Sequence, residues 1–209
     1  MTDQARPTAG RTPFEPHFVV TQEGDLTLDD HEAIAAMLAR AFPSYSHWYD
    51  GSRSWAGMEP ERRIVARSGD VVVAHAGIRR MFVTVGAVDT LVAAVGMVAV
   101  SPILQGTGLG TQLLELVDSA LADLPVPFGL LEASEAVQPF YRKHGWEPLE
   151  GVTGHYNAFT ADGASILVSQ DEGWLLRRVA APAGVVVLAR GPSGDSWPSG
   201  DIHWNGQMV

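Results

Sequence analysis

The sequence has no cysteine among its 209 residues and no long hydrophobic run. The missing cysteines exclude disulfides, thiolate zinc sites and cysteine nucleophiles. No stretch reaches the roughly 18 consecutive apolar residues that a membrane-spanning helix requires, and residues 1–16 lack the apolar segment of a secretory signal peptide. We therefore expect a cytoplasmic protein that does not bind membranes.

Positive charge is also scarce. The chain has 14 Lys and Arg residues against 24 Asp and Glu residues, so its formal net charge is −10. Such a charge repels nucleic-acid phosphates and anionic lipids, whereas it attracts cationic small molecules. We expect a cationic small-molecule ligand and no nucleic-acid partner.

The composition, with 46% hydrophobic residues, is that of a globular protein. A single hydrophobic core is practical up to roughly 250 residues, so one domain is expected. Residues 1–16 are polar and contain three prolines, which predicts a flexible N-terminal segment. The domain is expected to span residues 17–209 and to end in a tail, residues 191–209, that reaches the acceptor site.

Hydrophobic spacing predicts a β-rich first half followed by alternating helices and strands. An amphipathic helix capped by Asp29 or Asp30 should end before Pro43. β-branched runs divided by turns at Gly69 and Gly86 predict an antiparallel meander. Residues 45–57 are interpreted as a loop or broken helix, and the tail shows no period. The expected strands are 17–21, 64–67, 71–85, 88–100, 128–131, 174–180 and 184–189, and the later helices 109–124 and 135–144.

The most informative segment is 98–110, with the sequence VAVSPILQGTGLG. A buried strand leads through a glycine-alternating turn into a helix, whose N-terminal N–H groups can hold a pyrophosphate. Gln105 can add a side-chain donor. A tight turn with no ligand would show the same pattern. A dinucleotide-binding loop is disfavoured because antiparallel hairpins precede it, and a Walker loop because Gly-Lys-Ser/Thr is missing.

This segment resembles the coenzyme A pyrophosphate motif of the GCN5-related N-acetyltransferases, with Val98-x-Val100 and Pro102 ahead of residues 105–110. Residues 139–146, PFYRKHGW, are similar to a second motif of that family. The resemblance extends over roughly residues 18–189. It implies an α/β (α+β) fold with a mixed central sheet of about six or seven strands flanked by helices. It also implies acetyl-CoA as the acyl donor and no metal.

Narrower resemblances point to amino-sugar acceptors. Segments 51–57, 73–75 and 88–93 resemble the rhizobial nodulation acyltransferases, which attach a fatty acyl chain to the free amine of a chito-oligosaccharide. The tail is similar to theirs and to that of aminoglycoside 2′-N-acetyltransferases. The nodulation enzymes lack the Phe140-Tyr141 motif, so the resemblance does not determine which acyl chain is transferred. The aminoglycoside enzymes have a Glu where Gly96 stands here.

The resemblance implies a donor site built mainly from backbone. A strand bulge frees an edge with which the pantetheine arm pairs, and a backbone N–H there stabilises the thioester oxyanion. Tyr141 would protonate the leaving thiolate as general acid, or else it is a core aromatic beside Phe140. The residues assigned to the donor are Met97, Val98, Ala99, Val100, Gln105, Gly106, Thr107, Gly108, Leu109, Gly110 and Thr111.

The acceptor amine must lose a proton, so a carboxylate or histidine is expected near it. Glu132, at a strand end, and Asp201, in the tail, are the candidates, against the alternatives of a helix cap and a turn residue. His75 lies mid-strand, where a hydrogen-bonded core histidine is favoured over a base. The acceptor-binding candidates are Glu132, Asp201 and the aromatic residues Trp55, Trp197 and Trp204, which either stack on sugar rings or anchor loops.

Three functions are therefore compatible with the sequence. The first is an acetyl-CoA-dependent N-acetyltransferase that acts on a cationic amino sugar, such as an aminoglycoside antibiotic, in resistance or self-protection. The second uses a longer acyl-CoA or an acyl-carrier protein as donor. The third is a non-catalytic acyl-CoA sensor, which the intact glycine turn and Tyr141 disfavour. A homodimer is compatible with each of them.

Overall fold

The computed structural model describes residues 16–57, 59–159, 166–179 and 196–207. Within these residues, ten strands form one sheet. They are β1 (His17–Gln22), β2 (Arg62–Ser68), β3 (Val71–Val85), β4 (Val88–Val100), β5 (Phe128–Glu132), β6 (Glu147–Pro148), β7 (Gly154–Phe159), β8 (Ile166–Asp171), β9 (Trp174–Arg178) and β10 (Ile202–Gln207). The helices are α1 (Leu28–Ala41), α2 (Leu109–Ala122) and α3 (Gln138–Lys143), with short 3₁₀ segments at Glu23–Asp25, Pro43–Tyr49 and Pro102–Leu104.

Strand β3 organises the sheet because it is long enough to pair with three strands. β4 runs antiparallel along one edge of it. On the other edge, β2 pairs with its first half and β10 with its last residues. The order is β6-β9-β5-β4-β3-β10-β7-β8, with β1 paired to β2. The β4–β5 and β10–β7 pairs are parallel, so the sheet is mixed.

The two longer helices pack on opposite faces of the sheet. Helix α1 begins with a capping box, in which Thr27 and Asp30 each accept a hydrogen bond from the other's backbone N–H. The cap is therefore Thr27 and not Asp29 or Asp30. α1 packs against Met97, whereas α2 packs against Val98. The end of β4 is thus held between two cores. No helix of the described residues is long and apolar enough to cross a membrane.

The structure confirms the α/β (α+β) class with a mixed, helix-flanked sheet. The sheet is larger than expected, because strands β6, β7, β8 and β10 were not predicted. Helix α3 begins at Gln138, three residues later than expected, after a turn. The strand expected at 184–189 and the flexible segment expected at 1–16 lie outside the described residues, apart from Pro16.

The tail corrects a prediction. Ile202–Gln207 form β10, an inner strand between β3 and β7, although no strand was expected there. Ile202 and Trp204 are buried whereas His203 is exposed, which is the alternation of a strand with one buried face. The signal is present in the sequence but is too short to stand out among turn residues.

Candidate active site

The glycine turn opens helix α2 and has room for a ligand. Gly106 and Gly108 adopt left-handed backbone angles, with φ of 78° and 91°. A Cβ added to either would meet no atom within 4 Å, so both face open space. Among the described residues, no acceptor is bound by the backbone N–H groups of Gly106, Gly108, Leu109 and Gly110. Unpaired N–H groups at a helix N-terminus fit a pyrophosphate.

Other residues of this segment have structural partners. The Gln105 side-chain amide donates to the carbonyl of Val100, at 3.4 Å. The Thr111 hydroxyl contacts His144 Nε2 at 3.2 Å, which ties α3 to α2. A Cβ on Gly110 would come within 3.2 Å of the Phe140 ring, so close packing explains that glycine. The open part of the predicted donor site is therefore the Gly106–Gly108 backbone.

A β-bulge interrupts the β3–β4 ladder at Met97. His75 pairs with Ala99 but Gly77 pairs with Gly96, so β4 has one more residue than β3 between these pairs. Met97 has a φ of 51°, and within the described residues it is the only non-glycine residue with positive φ. Such a conformation is costly for a side chain with a Cβ and persists only where the surrounding structure fixes it.

The bulge coincides with the point where β4 parts from β5. Their parallel pairing ends at Ala94 opposite Leu130, and β5 continues alongside β9. The Ser101 N–H donates to Val73 of β3. Since backbone groups alternate in direction along a strand, those of Val98 and Val100 face the other way. β4 therefore presents an edge towards the gap left by β5, as the resemblance implied, and among the described residues Gln105 is the partner of the Val100 carbonyl on that edge.

Tyr141 lies on α3 beside this gap. It is 6% exposed and packs edge-on against Phe140 and Trp146. Burial, followed by the nearby Glu132 carboxylate, raises the pKa of the Tyr141 phenol above its ordinary value. Its hydroxyl hydrogen-bonds to no other described residue. The side chain is thus part of the core, and its hydroxyl proton has no hydrogen-bond acceptor among the described residues.

Glu132 ends strand β5 and is electrostatically coupled to Tyr141. Burial, followed by the negative charge of Asp171, raises the pKa of Glu132 to about 7. Asp171 in turn accepts a hydrogen bond of 2.6 Å from the Tyr156 hydroxyl. Glu132 does not cap α3, whose N-cap is Val137. Sequence reasoning missed Asp171 and Tyr156, because the β7–β8 pairing and the short connection from β8 to β9, which pairs with β5, bring them here.

The tail candidates have partners other than Tyr141 among the described residues. Trp204 is 7% exposed and packs at 5.3 Å from the Trp174 ring, so its faces are not open to a sugar. Trp197 packs edge-on against Phe128. The Asp201 carboxylate accepts from the Thr153 N–H at 3.1 Å, and this bond is the main cause of its lowered pKa.

The position of Asp201 relative to the sheet is fixed by its backbone. Its carbonyl accepts from the N–H of Gly86, at the end of β4 away from the bulge. None of the contacts of the described residues joins Asp201 to Tyr141 or Glu132. The structure therefore brings together Glu132, Tyr141, the bulge and the glycine turn, whereas the tail is linked to them through Trp204, which packs on Trp174, the β9 partner of Glu132.

Two further features belong to this region, a cavity beside Trp174 and the cluster that contains Trp55. A cavity of about 240 Å³ borders Trp174, the β9 partner of Glu132, and includes the Glu150 and Glu172 side chains. Trp55 is part of the cluster around α1 and Met97, with the Arg63 guanidinium 5.7 Å from its ring centre. Among the described residues, no group of three or more His, Asp or Glu side chains could hold a metal ion.

The chain matches a known protein family over nearly its whole length. The family model described as Nodulation protein A (NodA) matches residues 16–209. Nodulation protein A of Rhizobium tropici is 32% identical over 187 residues, which cover 86% of this chain and 90% of that protein. Nodulation protein A of Sinorhizobium terangae is 37% identical over 127 residues, which cover 59% of this chain and 64%, less than two thirds, of that protein.

Solved structures share the fold. Escherichia coli ElaA superposes with a TM-score of 0.56 at 20% identity, over 78% of this chain and 100% of that chain. The GNAT family N-acetyltransferase YhbS from Escherichia coli, in complex with CoA, has a TM-score of 0.56 at 15% identity and 94% coverage of both chains. At these identities the likeness shows the fold alone. It confirms the expected GCN5-related N-acetyltransferase fold.

Proposed function

Because the chain belongs to the Nodulation protein A (NodA) family, we propose that it is an N-acyltransferase acting on the free amine of an amino sugar. The observation that supports this most is the β4 edge that faces the gap, together with the open space in front of Gly106 and Gly108 in the glycine turn. The family favours a longer acyl donor, from CoA or an acyl-carrier protein, and an oligosaccharide amine. The relatives named above lend no support to an aminoglycoside acceptor or to antibiotic resistance.

The donor fits residues of this chain. The N–H groups of Gly106 to Gly110 would hold the pyrophosphate, and the free edge from Val98 to Val100 would pair with the pantetheine amides. The bound thioester supplies an acyl carbon that an amine can attack. The Val98 N–H, which faces the gap, would donate to the carbonyl oxygen as negative charge develops on it.

Tyr141 would supply the proton that the departing sulfur needs. Its raised pKa keeps the phenol fully protonated at neutral pH, as a general acid must be. The hydroxyl has no competing acceptor among the described residues. Since the ring is fixed by Phe140 and Trp146, the hydroxyl needs no reorganisation before proton transfer.

Glu132 would accept the proton that the attacking ammonium loses. With a pKa of about 7, the carboxylate is ionised in a large fraction of molecules at neutral pH and is a stronger base than an ordinary glutamate. The adjacent Asp171 adds negative charge that attracts an ammonium group. The nearby cavity, with Glu150 and Glu172, extends this acidic surface towards solvent.

The proposal is tested by measuring CoA release with acetyl, hexanoyl and palmitoyl donors. Acceptors are a glucosamine oligosaccharide with a free amine at its non-reducing end, the same oligosaccharide fully N-acetylated, and an aminoglycoside. Because the protein has no cysteine, every thiol detected comes from CoA. We expect release with the free-amine oligosaccharide, fastest with the long donor, and none with the N-acetylated control.

Other outcomes have defined meanings. Acetyl transfer to the aminoglycoside alone would support the first of the functions named above and contradict this one. Donor binding by calorimetry without transfer to any amine, from CoA or from carrier protein, would favour a sensor.

A further inference from the structure

A chain of buried polar groups leads from the protein surface to the bulge. Arg63, on β2, is fully buried and donates from Nη2 to Glu23 at 2.9 Å. Its Nη1 lies 3.0 Å from the Ser54 carbonyl and 3.1 Å from Nε2 of His75. The other ring nitrogen of His75, Nδ1, lies 2.9 Å from the Met97 carbonyl. His75 is fully buried as well.

The partners of His75 define which nitrogen carries the proton. An arginine guanidinium only donates, so Nε2 must accept from Arg63. A carbonyl only accepts, so Nδ1 must donate to Met97. The imidazole is therefore neutral, in agreement with a pKa that burial, followed by the Arg63 charge, lowers to about 3. Neither nitrogen is free to act as a base, and the tautomer is fixed by its two neighbours.

The bond to Met97 has a directional consequence. The Met97 carbonyl belongs to the same peptide plane as the Val98 N–H, and in a trans peptide these two groups point in opposite directions. The structure has no cis peptide bond among its described residues. A carbonyl held towards the His75 ring therefore directs the Val98 N–H away from that ring. The alternation of backbone groups along β4 puts the gap left by β5 on the side that Val98 faces.

The bulge gives this bond its importance. In a regular ladder, the β3 backbone would hold the Met97 peptide, but the extra residue removes that partner. A left-handed Met97 is unfavourable by itself and persists only where its surroundings fix it. The Met97 methyl group lies 3.0 Å from where a Gly77 Cβ would stand, so a larger residue at position 77 would require the Met97 side chain to shift.

We propose that His75, oriented by Arg63, is a positioning residue that aims the Val98 N–H at the carbonyl oxygen of the bound acyl thioester. The inference rests on the proposed function only in requiring an acyl-thioester ligand. It assigns a role to the Glu23–Arg63 pair, which lies outside the reacting centre.

Two substitutions separate the two bonds of His75. In His75→Asn, the side-chain NH₂ lies near the former Nδ1 and can still donate to Met97. In His75→Gln, the longer amide reaches towards Arg63 but leaves the Met97 carbonyl without its donor. The exposed His17, on β1, provides the matched control His17→Gln.

The first readout is the carbonyl stretching frequency of [1-¹³C]acyl-CoA bound without acceptor. A hydrogen bond to the oxygen lowers this frequency. We expect the lowered band in the wild type, His75→Asn and His17→Gln, and a band close to that of free acyl-CoA in His75→Gln. In transfer assays, His75→Gln should lose roughly 10² to 10³ in kcat, as for a lost oxyanion donor, with donor affinity unchanged within about threefold.

The wild type alone gives a second test that does not depend on variant folding. The amide proton resonance of Val98 should move downfield when acyl-CoA binds. An unmoved resonance would overturn the proposal, as would equal bands in His75→Gln and His75→Asn. If no amine is acylated but the band still follows His75, the proposed function fails and the positioning role stands. If transfer occurs and the band does not change when His75 is substituted, the proposed function stands and the positioning role fails.

Discussion

At the residue scale, Tyr141 combines a buried ring with a hydroxyl that has no hydrogen-bond partner among the described residues. Tyr141→Phe removes only the hydroxyl, so packing against Phe140 and Trp146 is retained. We expect kcat to fall by roughly 10² to 10⁴, the contribution of a general acid, with little change in donor Kd. Steady-state kinetics with calorimetry check this, and Tyr49→Phe, at a buried tyrosine on the α1 side, is the control. A kcat within about threefold of wild type would make Tyr141 a packing residue only.

Glu132 should give the reaction a pH dependence. An ionised carboxylate is needed to accept the amine proton, so kcat should rise with pH through about 7, where burial and Asp171 place the pKa of Glu132. In Glu132→Gln, kcat should be low and this limb absent. The exposed Glu135 supplies the control Glu135→Gln. If kcat still rises with pH in the same way in Glu132→Gln, the group that titrates is the acceptor amine itself.

The same shift has a consequence for stability. A carboxyl whose folded pKa is raised favours its protonated form in the native state, so its stabilising contribution is complete below the ordinary pKa of about 4.5 and is lost as pH rises to about 7. The Tm of Glu132→Gln, relative to wild type, should therefore increase from pH 5 to pH 8. Scanning calorimetry at both pH values measures this, and a constant difference would contradict the raised pKa.

Gly108 tests the glycine turn. A valine there would require a positive φ that β-branched residues rarely adopt, and its side chain would occupy the open space in front of the turn. Donor binding by calorimetry should be lost in Gly108→Val, while the cooperative melt is retained. Gly24→Val, at an open glycine without positive φ, is the control. Unchanged donor affinity would remove the turn from the donor site.

At the element scale, β10 joins the tail to the sheet. Trp204 is buried against Trp174 between β3 and β7, so Trp204→Ala should open a cavity costing about 3–5 kcal/mol. The Tm should fall by roughly 6–20 °C for a domain of this size. His203→Ala, on the exposed face of the same strand, should change it much less. A small decrease in Tm for Trp204→Ala together with a raised acceptor KM would instead indicate that Trp204 is part of the acceptor site.

Local patterns predicted the elements that are regular over many residues. The meander from β2 to β4 and helices α1 and α2 follow from β-branched runs and three- and four-residue apolar spacing. The strands β7 and β8 and the tail strand β10 are short, and β10 contains a glycine. They are defined by pairing with distant strands, which no local period reveals. Because no strand was predicted there, Trp204 was an acceptor-binding candidate that either stacks on a sugar ring or anchors a loop.

The residues of the candidate site likewise fall into two groups, those that local motifs predict and those that only the fold brings together. The glycine turn and Tyr141 lie in local motifs and could be predicted from the sequence. The contacts among Glu132, Asp171 and Tyr156 arise where β5, β9 and β7–β8 meet, so only the fold shows them. His75 was correctly interpreted as a hydrogen-bonded core histidine. Its link to Met97 depends on a bulge whose position is set by the register of β3 and β4.

At the scale of the whole molecule, charge and site act in the same direction. The net charge of −10 favours encounter with a cation at long range. At short range, Glu132 and Asp171 add acidic groups beside Tyr141, and Glu150 and Glu172 line the cavity at Trp174. The donor, itself anionic, must approach against the mean field and depends on the N–H groups of the glycine turn. Donor and acceptor should therefore respond to salt in opposite directions.

The last prediction measures this difference. Raising NaCl from 20 to 300 mM screens the attraction of a cationic acceptor, so its kcat/KM should fall by about three- to tenfold, whereas donor affinity should rise slightly. The fall should be steeper for an acceptor with several amines than for an oligosaccharide with one. KCl at the same ionic strength controls for specific effects of sodium. A kcat/KM that does not change with salt for either acceptor would mean that the acidic surface plays no part in recognition, and that the acceptor is held by its neutral sugar rings.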